Sequence, residues 1–296
     1  MSTPEPRDDP GRLAALRQSG GYKATTLVLS LLVLTIIIGM AVLVAIRGDG
    51  DDTATPPPQV TATDTPSSLP PQTSVTRLPE DAFGVPTTDT QGRRVDTPTN
   101  PLGQVLPQSG DTPATTDPEA VLPPPQGLMW QRVYGATIPF STSDGPTTIS
   151  NDGVPTGFAR TPQGAALAAW QIGQRATWAP DDQAVALLER AAVVSEAARP
   201  EADNLRTNGA QIYAGNPELP AQMRDVPVAV RITTYSTDFA HVEFAQPLTR
   251  DDGFTAVSVG IDMVWRDGRW KWVVPEPGNE PSRLLVSTSG DGWTPW

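Results

Sequence analysis

The sequence predicts an α+β domain that a single transmembrane helix and a disordered linker attach to a membrane. Three observations predict this. Residues 24–46 form an uncharged apolar run, and residues 47–125 are rich in proline and threonine. Residues 126–296 show helical periodicity followed by strand alternation. The compact part of the chain is therefore expected to begin near residue 126, where 171 residues suffice for one domain with a core of its own.

The apolar run has the length of a membrane-spanning helix, which needs about 20 residues to cross a hydrocarbon core of about 30 Å. Only Arg47 follows it closely, whereas the basic residues that precede it are Arg7, Arg12, Arg17 and Lys23. Because basic residues flanking a span remain cytoplasmic, residues 1–23 are expected to be a cytoplasmic tail and the C-terminal domain extracytoplasmic. A cleaved signal peptide is the alternative, but the run exceeds its apolar core of about 7–15 residues. We therefore expect an uncleaved, single-pass anchor in the cell membrane.

The linker is defined by its composition. Residues 53–125 contain 16 prolines and 15 threonines, and all eight tryptophans follow residue 125. Such a stretch has too few large apolar groups to offset its ordering entropy and is expected to be disordered. Residues 80–108 differ, because they hold the linker's only aromatic residue, Phe83, and the pair Arg93–Arg94. They predict a short segment that folds onto a partner or onto its own domain, with chance variation as the alternative.

Charge and rare residues exclude several kinds of site. The chain has a net charge of −12, no cysteine and one histidine. An acidic extracytoplasmic part repels phosphate backbones, so direct nucleic-acid binding is not expected. Without cysteine, and with His241 alone, thiolate catalysis, cysteine metal sites and any site that needs two histidines are excluded. We expect no cofactor and no bound metal.

The domain begins with an extended segment, Trp130–Phe140, and a turn at residues 143–146. Thr161 followed by Pro162 is typical of a helix start, because threonine caps the N-terminus and proline suits the first helical position. Pro180–Asp181 predicts a second helix, and a third, short helix is predicted near Glu201–Arg206.

The periodicity then changes to two. The four predicted strands are Val226–Thr233, Phe239–Leu248, Val257–Trp265 and Trp270–Val274. Asp267–Gly268 is the two-residue turn typical of a tight hairpin between the last two strands. Helices followed by an antiparallel meander predict helices packed on one face of the sheet.

The hairpin Trp265–Trp272, which closes a sheet after a helical part, resembles the nuclear-transport-factor-two-like superfamily. The layout of short tail, single span and outer domain resembles the bitopic assembly factors of bacterial type IV secretion and conjugation systems. The segment Gly157–Gln171 resembles an envelope-protein family of high-GC Gram-positive bacteria. The fold resemblance covers about residues 155–276 and implies a curved, cone-like sheet.

Candidate sites fall into two groups. Relatives with this fold that are enzymes carry acid–base groups inside the cone, and the corresponding candidates here are Arg231, Tyr235, His241, Glu243 and Asp262. Strand alternation places His241 and Glu243 opposite the apolar face of Val242 and Phe244, so a solvated sheet face is favoured over catalysis. The candidate partner-binding residues are Phe83, Arg93, Arg94, Trp293 and Trp296, because exposed indoles near a chain end are unfavourable in water.

The favoured hypothesis is a non-enzymatic, membrane-anchored envelope protein, a scaffold or assembly subunit of a conjugative transfer or secretion machinery. Its partners would be other envelope or transfer-machinery proteins, the membrane is contacted through one helix, and a homo-oligomer is left open. The alternative is a cell-wall or small-ligand binding module that uses a cone pocket. An extracytoplasmic enzyme is the third hypothesis.

Overall fold

The computed structural model describes residues 72–73, 77–109, 122–203, 226–247, 256–279, 284–289 and 292–296. The predicted cytoplasmic tail (1–23), the membrane span (24–46) and linker residues 47–71 lie outside these ranges. Within them, no helix combines the length and the apolar character that a membrane crossing requires.

The largest element is a seven-stranded mixed sheet. Its strands lie in the order β14-β9-β10-β11-β12-β8, and β13 pairs with β11. The pairings are antiparallel except that of β12 with β8, which is parallel. The strands are β8 (Ala192–Val193), β9 (Ala229–Tyr235), β10 (Phe239–Pro247), β11 (Ala256–Arg266), β12 (Arg269–Val273), β13 (Leu285–Val286) and β14 (Thr294–Pro295).

The predicted hairpin between β11 and β12 is confirmed. Asp267 and Gly268 both have positive φ, 52° and 73°, as the tight hairpin turn requires. Trp265 and Trp270 lie opposite each other across the strands, with ring centroids 5.3 Å apart. Trp265 and Trp270 thus pack against each other across the hairpin.

Helix α1 (Pro162–Trp178) is enclosed by the rest of the domain. Thr161 caps it as predicted, since its hydroxyl accepts a hydrogen bond from the backbone N–H of Gly164. Gly164 allows a close approach, because a Cβ there would lie 2.1 Å from the carbonyl oxygen of Ala159. Residues 162–172 are all buried, so α1 presents no solvent face over three turns. Helix α2 (Asp181–Ala191) follows with its acidic first turn, also as predicted.

A second β layer covers the side of α1 that faces away from the main sheet. It is the hairpin of β4 (Met129–Val133) and β5 (Ala136–Phe140). The indole N–H of Trp170 donates to the carbonyl of Thr137, while the Trp170 ring packs on Phe244 of β10, 5.0 Å between centroids. One side chain of α1 therefore contacts both layers.

Part of the predicted linker belongs to this folded body. Strands β2 (Thr87–Thr88) and β3 (Arg94–Val95) form a hairpin, and β1 (Gln72–Thr73) pairs with β6 (Thr148–Ile149), which also pairs with β7 (Pro155–Thr156). Leu102, Val105 and Leu106 are buried in a cluster with residues of β4 and β5. The buried guanidinium of Arg175 donates to the carbonyl of Leu102 at 2.9 Å, and burial lowers the pKa of Arg175. These contacts join the segment to α1.

The predicted fold class is therefore wrong. The domain is mixed α/β: strands β1–β7 precede the helices, β8 adds a parallel edge to the sheet, and α1 lies between two β layers. The disordered linker in that fold class is also wrong for residues 77–109, which supply Ala82, Val95, Leu102, Val105 and Leu106 to the buried core. The prediction failed because these residues bury their apolar side chains against parts of the chain that are distant in sequence. Composition alone does not reveal such contacts. The segment 80–108 folds onto its own domain, one of the outcomes expected for it.

Candidate functional site

The loop between β2 and β3 fixes the position of Arg93. Asp89 is buried and accepts hydrogen bonds from the backbone N–H groups of Gln91 and Arg93, and its second oxygen accepts from Arg93 Nε at 2.8 Å. Gly92 completes the loop with φ 75°. A short polar loop therefore aims one arginine side chain away from its own hairpin.

The Arg93 guanidinium contacts three distant parts of the chain. Nη1 donates to the backbone oxygen of Trp296 at 2.7 Å and to the carbonyl of Pro227 at 3.1 Å, and Nη2 donates to the carbonyl of Val226 at 3.0 Å. The guanidinium carbon also lies 5.6 Å from the centre of the Trp130 ring. Arg93 thus joins the β2–β3 hairpin to the start of β9 and the end of β14.

Arg94 has a different environment. Its Nε and Nη2 donate to the carboxylate of Asp96, with Nη2–Oδ1 at 2.6 Å, while 71% of its side chain is exposed. The Asp96 hydrogen bond raises the pKa of Arg94, which is therefore cationic throughout the physiological range. Beside it lies an open groove of about 390 Å³. The groove is lined by Arg93, Arg94, Asp96, Leu128, Met129 and Trp130.

The other predicted partner-binding residues also have contacts within the chain. Trp296 is buried between Trp130 and Phe244, with centroid distances of 5.9 and 5.7 Å. Trp293 is buried on the opposite face of the sheet, under the guanidinium of Arg231 at 4.6 Å. Phe83 forms a β-bridge with Pro98 and is half-buried. Arg93 therefore contacts Trp296, Arg94 lines the same groove as Arg93, and Phe83 and Trp293 lie elsewhere. Partner binding by any of these residues stays a prediction.

The acid–base candidates of the main sheet form a row on the face that points away from α1. His241 Nδ1 lies 2.5 Å from Asp262 Oδ1, and Arg231 Nη2 donates to Glu243 Oε2 at 2.5 Å. His241 Nε2 is 3.9 Å from Glu243 Oε1, so the imidazole lies between two carboxylates. The hydrogen bond to Asp262 raises the pKa of His241, and the charges of Asp262 and Glu243 raise it further, against a lowering by burial.

This row has the charge pairs of an acid–base site but lies on an open sheet face. Neither His241 nor Asp262 lines the groove at Arg94 or a second groove, of about 460 Å³, beside α2. Tyr235, the remaining candidate, is apart from the row, because its hydroxyl donates to the carbonyl of Arg160 and its ring packs near Trp270. Among the described residues, no cluster of three or more potential metal ligands occurs.

A family model described as a domain of unknown function, DUF8175, matches residues 96–295. The chain belongs to this family. No curated protein and no solved structure matches it. The DUF8175 domain begins at Asp96, directly after β3, and ends at Pro295 in β14. Arg93 and Trp296 thus lie just outside the two ends of the matched region, and a hydrogen bond joins them.

The sequence reasoning missed part of the groove. Leu128 and Met129 carry no functional signal, and Trp130 was interpreted only as the start of a strand. Asp89 had a recognisable signal, because it is followed three residues later by Gly92, and aspartate and glycine at this spacing are typical of a turn. The contact of Arg93 with Val226, Pro227 and Trp296 has no signal in a single sequence, because these residues are far apart in the chain.

Proposed function

We propose that this protein is a non-enzymatic, membrane-anchored envelope protein that serves as a scaffold or assembly subunit of a conjugative transfer or secretion machinery. The observation that carries the binding role is the groove at Arg94, where an exposed cation lies beside partly exposed Leu128 and Met129. Charged and apolar groups that meet in a concave surface favour recognition of another molecule.

The sequence supports the anchored part of the proposal. The uncharged run ending at residue 46 would fix the chain to the membrane, with the more basic side inside. The folded body begins with β1 at Gln72, so about 25 residues separate it from the end of the run. As a flexible coil that length spans roughly 30 Å. The groove would then work close to the outer membrane surface, where subunits of an envelope machinery assemble.

Crosslinking in intact cells tests the proposal. A photoreactive amino acid would replace Leu128 at the groove, and the same group at exposed Arg266, in the distant β11–β12 hairpin, would serve as the matched control. We expect position 128, and not position 266, to capture identified membrane or transport proteins. Equal capture at both positions would contradict the groove as a docking site. Unchanged DNA transfer after deletion of the gene would contradict the conjugative part alone.

A small-ligand module remains the second candidate, because the groove volume of about 390 Å³ lies within the range of small-molecule sites, about 300–1,000 Å³. Capture of a glycan or another small ligand at position 128, without protein, would favour it.

A further inference from the structure

The groove at Arg94 contains two arginines that are each paired with a carboxylate, Arg93 with Asp89 and Arg94 with Asp96, on a protein that is acidic as a whole. Residues 126–296 alone carry 13 basic and 19 acidic residues, a net charge of −6. Such a surface repels acidic partners in general, so an anionic group needs a site where a guanidinium N–H can still donate to it. Arg93 and Arg94 are adjacent in the chain, and both line the groove.

The two arginines are not equivalent. Arg93 uses Nε, Nη1 and Nη2 in bonds to Asp89 and to three backbone oxygens, so four of its five N–H groups are engaged. Arg94 is held by Asp96 through Nε and Nη2, and its Nη1 has no hydrogen-bond partner among the described residues. Asp96 therefore holds an exposed guanidinium in one orientation while leaving one end of it able to donate. A guanidinium fixed in this way loses less conformational entropy when it binds an anion.

The remaining groove lining is apolar. Leu128 and Met129 are half-buried, and Trp130 forms the deeper part of the groove. Methionine adapts its shape to varied apolar groups, which suits a surface that receives a side chain. A free inorganic anion would use the arginine and leave this lining exposed, whereas an acidic residue with an apolar neighbour would use both.

We propose that the groove binds a linear peptide segment of a partner protein in which an acidic residue adjoins a large apolar residue. The carboxylate binds Arg94, and the apolar side chain packs on Leu128, Met129 and Trp130. This inference rests on the proposed docking function and adds the chemistry of the partner.

Binding of synthetic peptides to the full-length protein in detergent tests the inference. The probe is a short fluorescein-labelled peptide with two glutamates before a leucine and a phenylalanine, and fluorescence anisotropy gives the Kd. Because Arg94 is largely exposed and water screens its charge, Arg94→Gln is expected to weaken binding by about 2–5-fold. Arg94→Lys keeps the charge but not the fork, and an intermediate loss is expected. Arg266→Gln removes the same charge at a distant exposed site and is expected to leave the Kd unchanged.

Matched probes identify the source of the anion. Replacing the glutamates by glutamines, or the two apolar residues by serines, is expected to abolish most of the binding. Equal binding of the glutamine peptide would overturn the inference. The inference would also be overturned if the glutamate peptide does not bind while vesicles containing anionic phospholipid, or inorganic phosphate, bind in a way that depends on Arg94. If crosslinking at position 128 captures an envelope protein while Arg94→Gln leaves that capture intact, the docking function stands and the acidic chemistry is wrong.

Discussion

At the scale of single residues, His241 is the group whose charge responds to its neighbours most directly. The groups that face it are Asp262 from β11, Glu243 from its own strand, and Thr234 and Arg231 from β9. The hydrogen bond to Asp262 is the main cause of the raised pKa of His241, and the charges of Asp262 and Glu243 add to it against a lowering by burial. The folded sheet thus favours the protonated form of His241.

The Asp262→Asn variant is expected to lower the pKa of His241 towards its ordinary value of about 6.5, because the main cause of the raised value is removed. The chain has one histidine, so a protein without a histidine tag gives a single imidazole signal whose NMR titration reports this pKa directly. An Asp238→Asn variant, which changes an exposed carboxylate in the turn between β9 and β10, serves as the control. An unchanged pKa in Asp262→Asn would contradict the assigned cause.

The same interaction has a consequence for stability. Because the folded-state pKa is raised, the stabilisation is fully present below about pH 6.5 and is lost as the pH rises through the folded-state pKa. The pair is partly exposed, so we expect no more than about 0.5–1 kcal/mol, decreasing with salt.

At the scale of elements, helix α1 depends on its first turn. The Thr161 hydroxyl accepts from the N–H of Gly164 and donates to the buried carboxylate of Asp144 at 2.7 Å. Thr161→Ala removes the cap and a hydrogen bond to a buried charged group, and we expect a loss of about 2–3 kcal/mol in the free energy of unfolding. Thr161→Ser keeps the hydroxyl and is expected to lose less than about 1 kcal/mol. Urea denaturation measures both, and equal losses would show that the hydroxyl is not the cause.

The sequence predicted the long elements and missed the short ones, for a physical reason. The start of α1 at Pro162 and the hairpin turn at Asp267–Gly268 follow from local chemistry, so they could be predicted. Strands such as β3 and β8 have two residues each, too few for any periodicity, and exist only because a distant strand or core holds them. The fold class failed at these positions. The groove could not be predicted either, because its two sides are formed by residues at β3 and β4.

At the scale of the whole molecule, Arg93 joins the first and last parts of the folded body. Lysine cannot span Val226, Pro227 and Trp296 while also pairing with Asp89, whose side chain is fully buried. Arg93→Lys is therefore expected to reduce the free energy of unfolding by about 2–4 kcal/mol. The neighbouring Arg94→Lys, at an exposed pair, is expected to leave the free energy of unfolding nearly unchanged.

Amide hydrogen exchange distinguishes a local from a global effect of Arg93→Lys. If the hydrogen bonds of Arg93 join the β2–β3 hairpin to the main sheet, protection should fall together in residues 94–96, in β9 and in β14. Loss of protection in the β2–β3 hairpin alone would contradict that role.

The Arg93–Trp296 bond also has a consequence in time, because its two residues are 203 positions apart in the chain. A ribosome that adds about 5–20 residues per second makes Trp296 roughly 10–40 s after Arg93. During that interval the β2–β3 hairpin can form its own loop at Asp89, but its anchor on the main sheet does not yet exist. Chain elongation would therefore limit the maturation of this domain, and its early residues would be most accessible to chaperones and proteases before synthesis reaches β14.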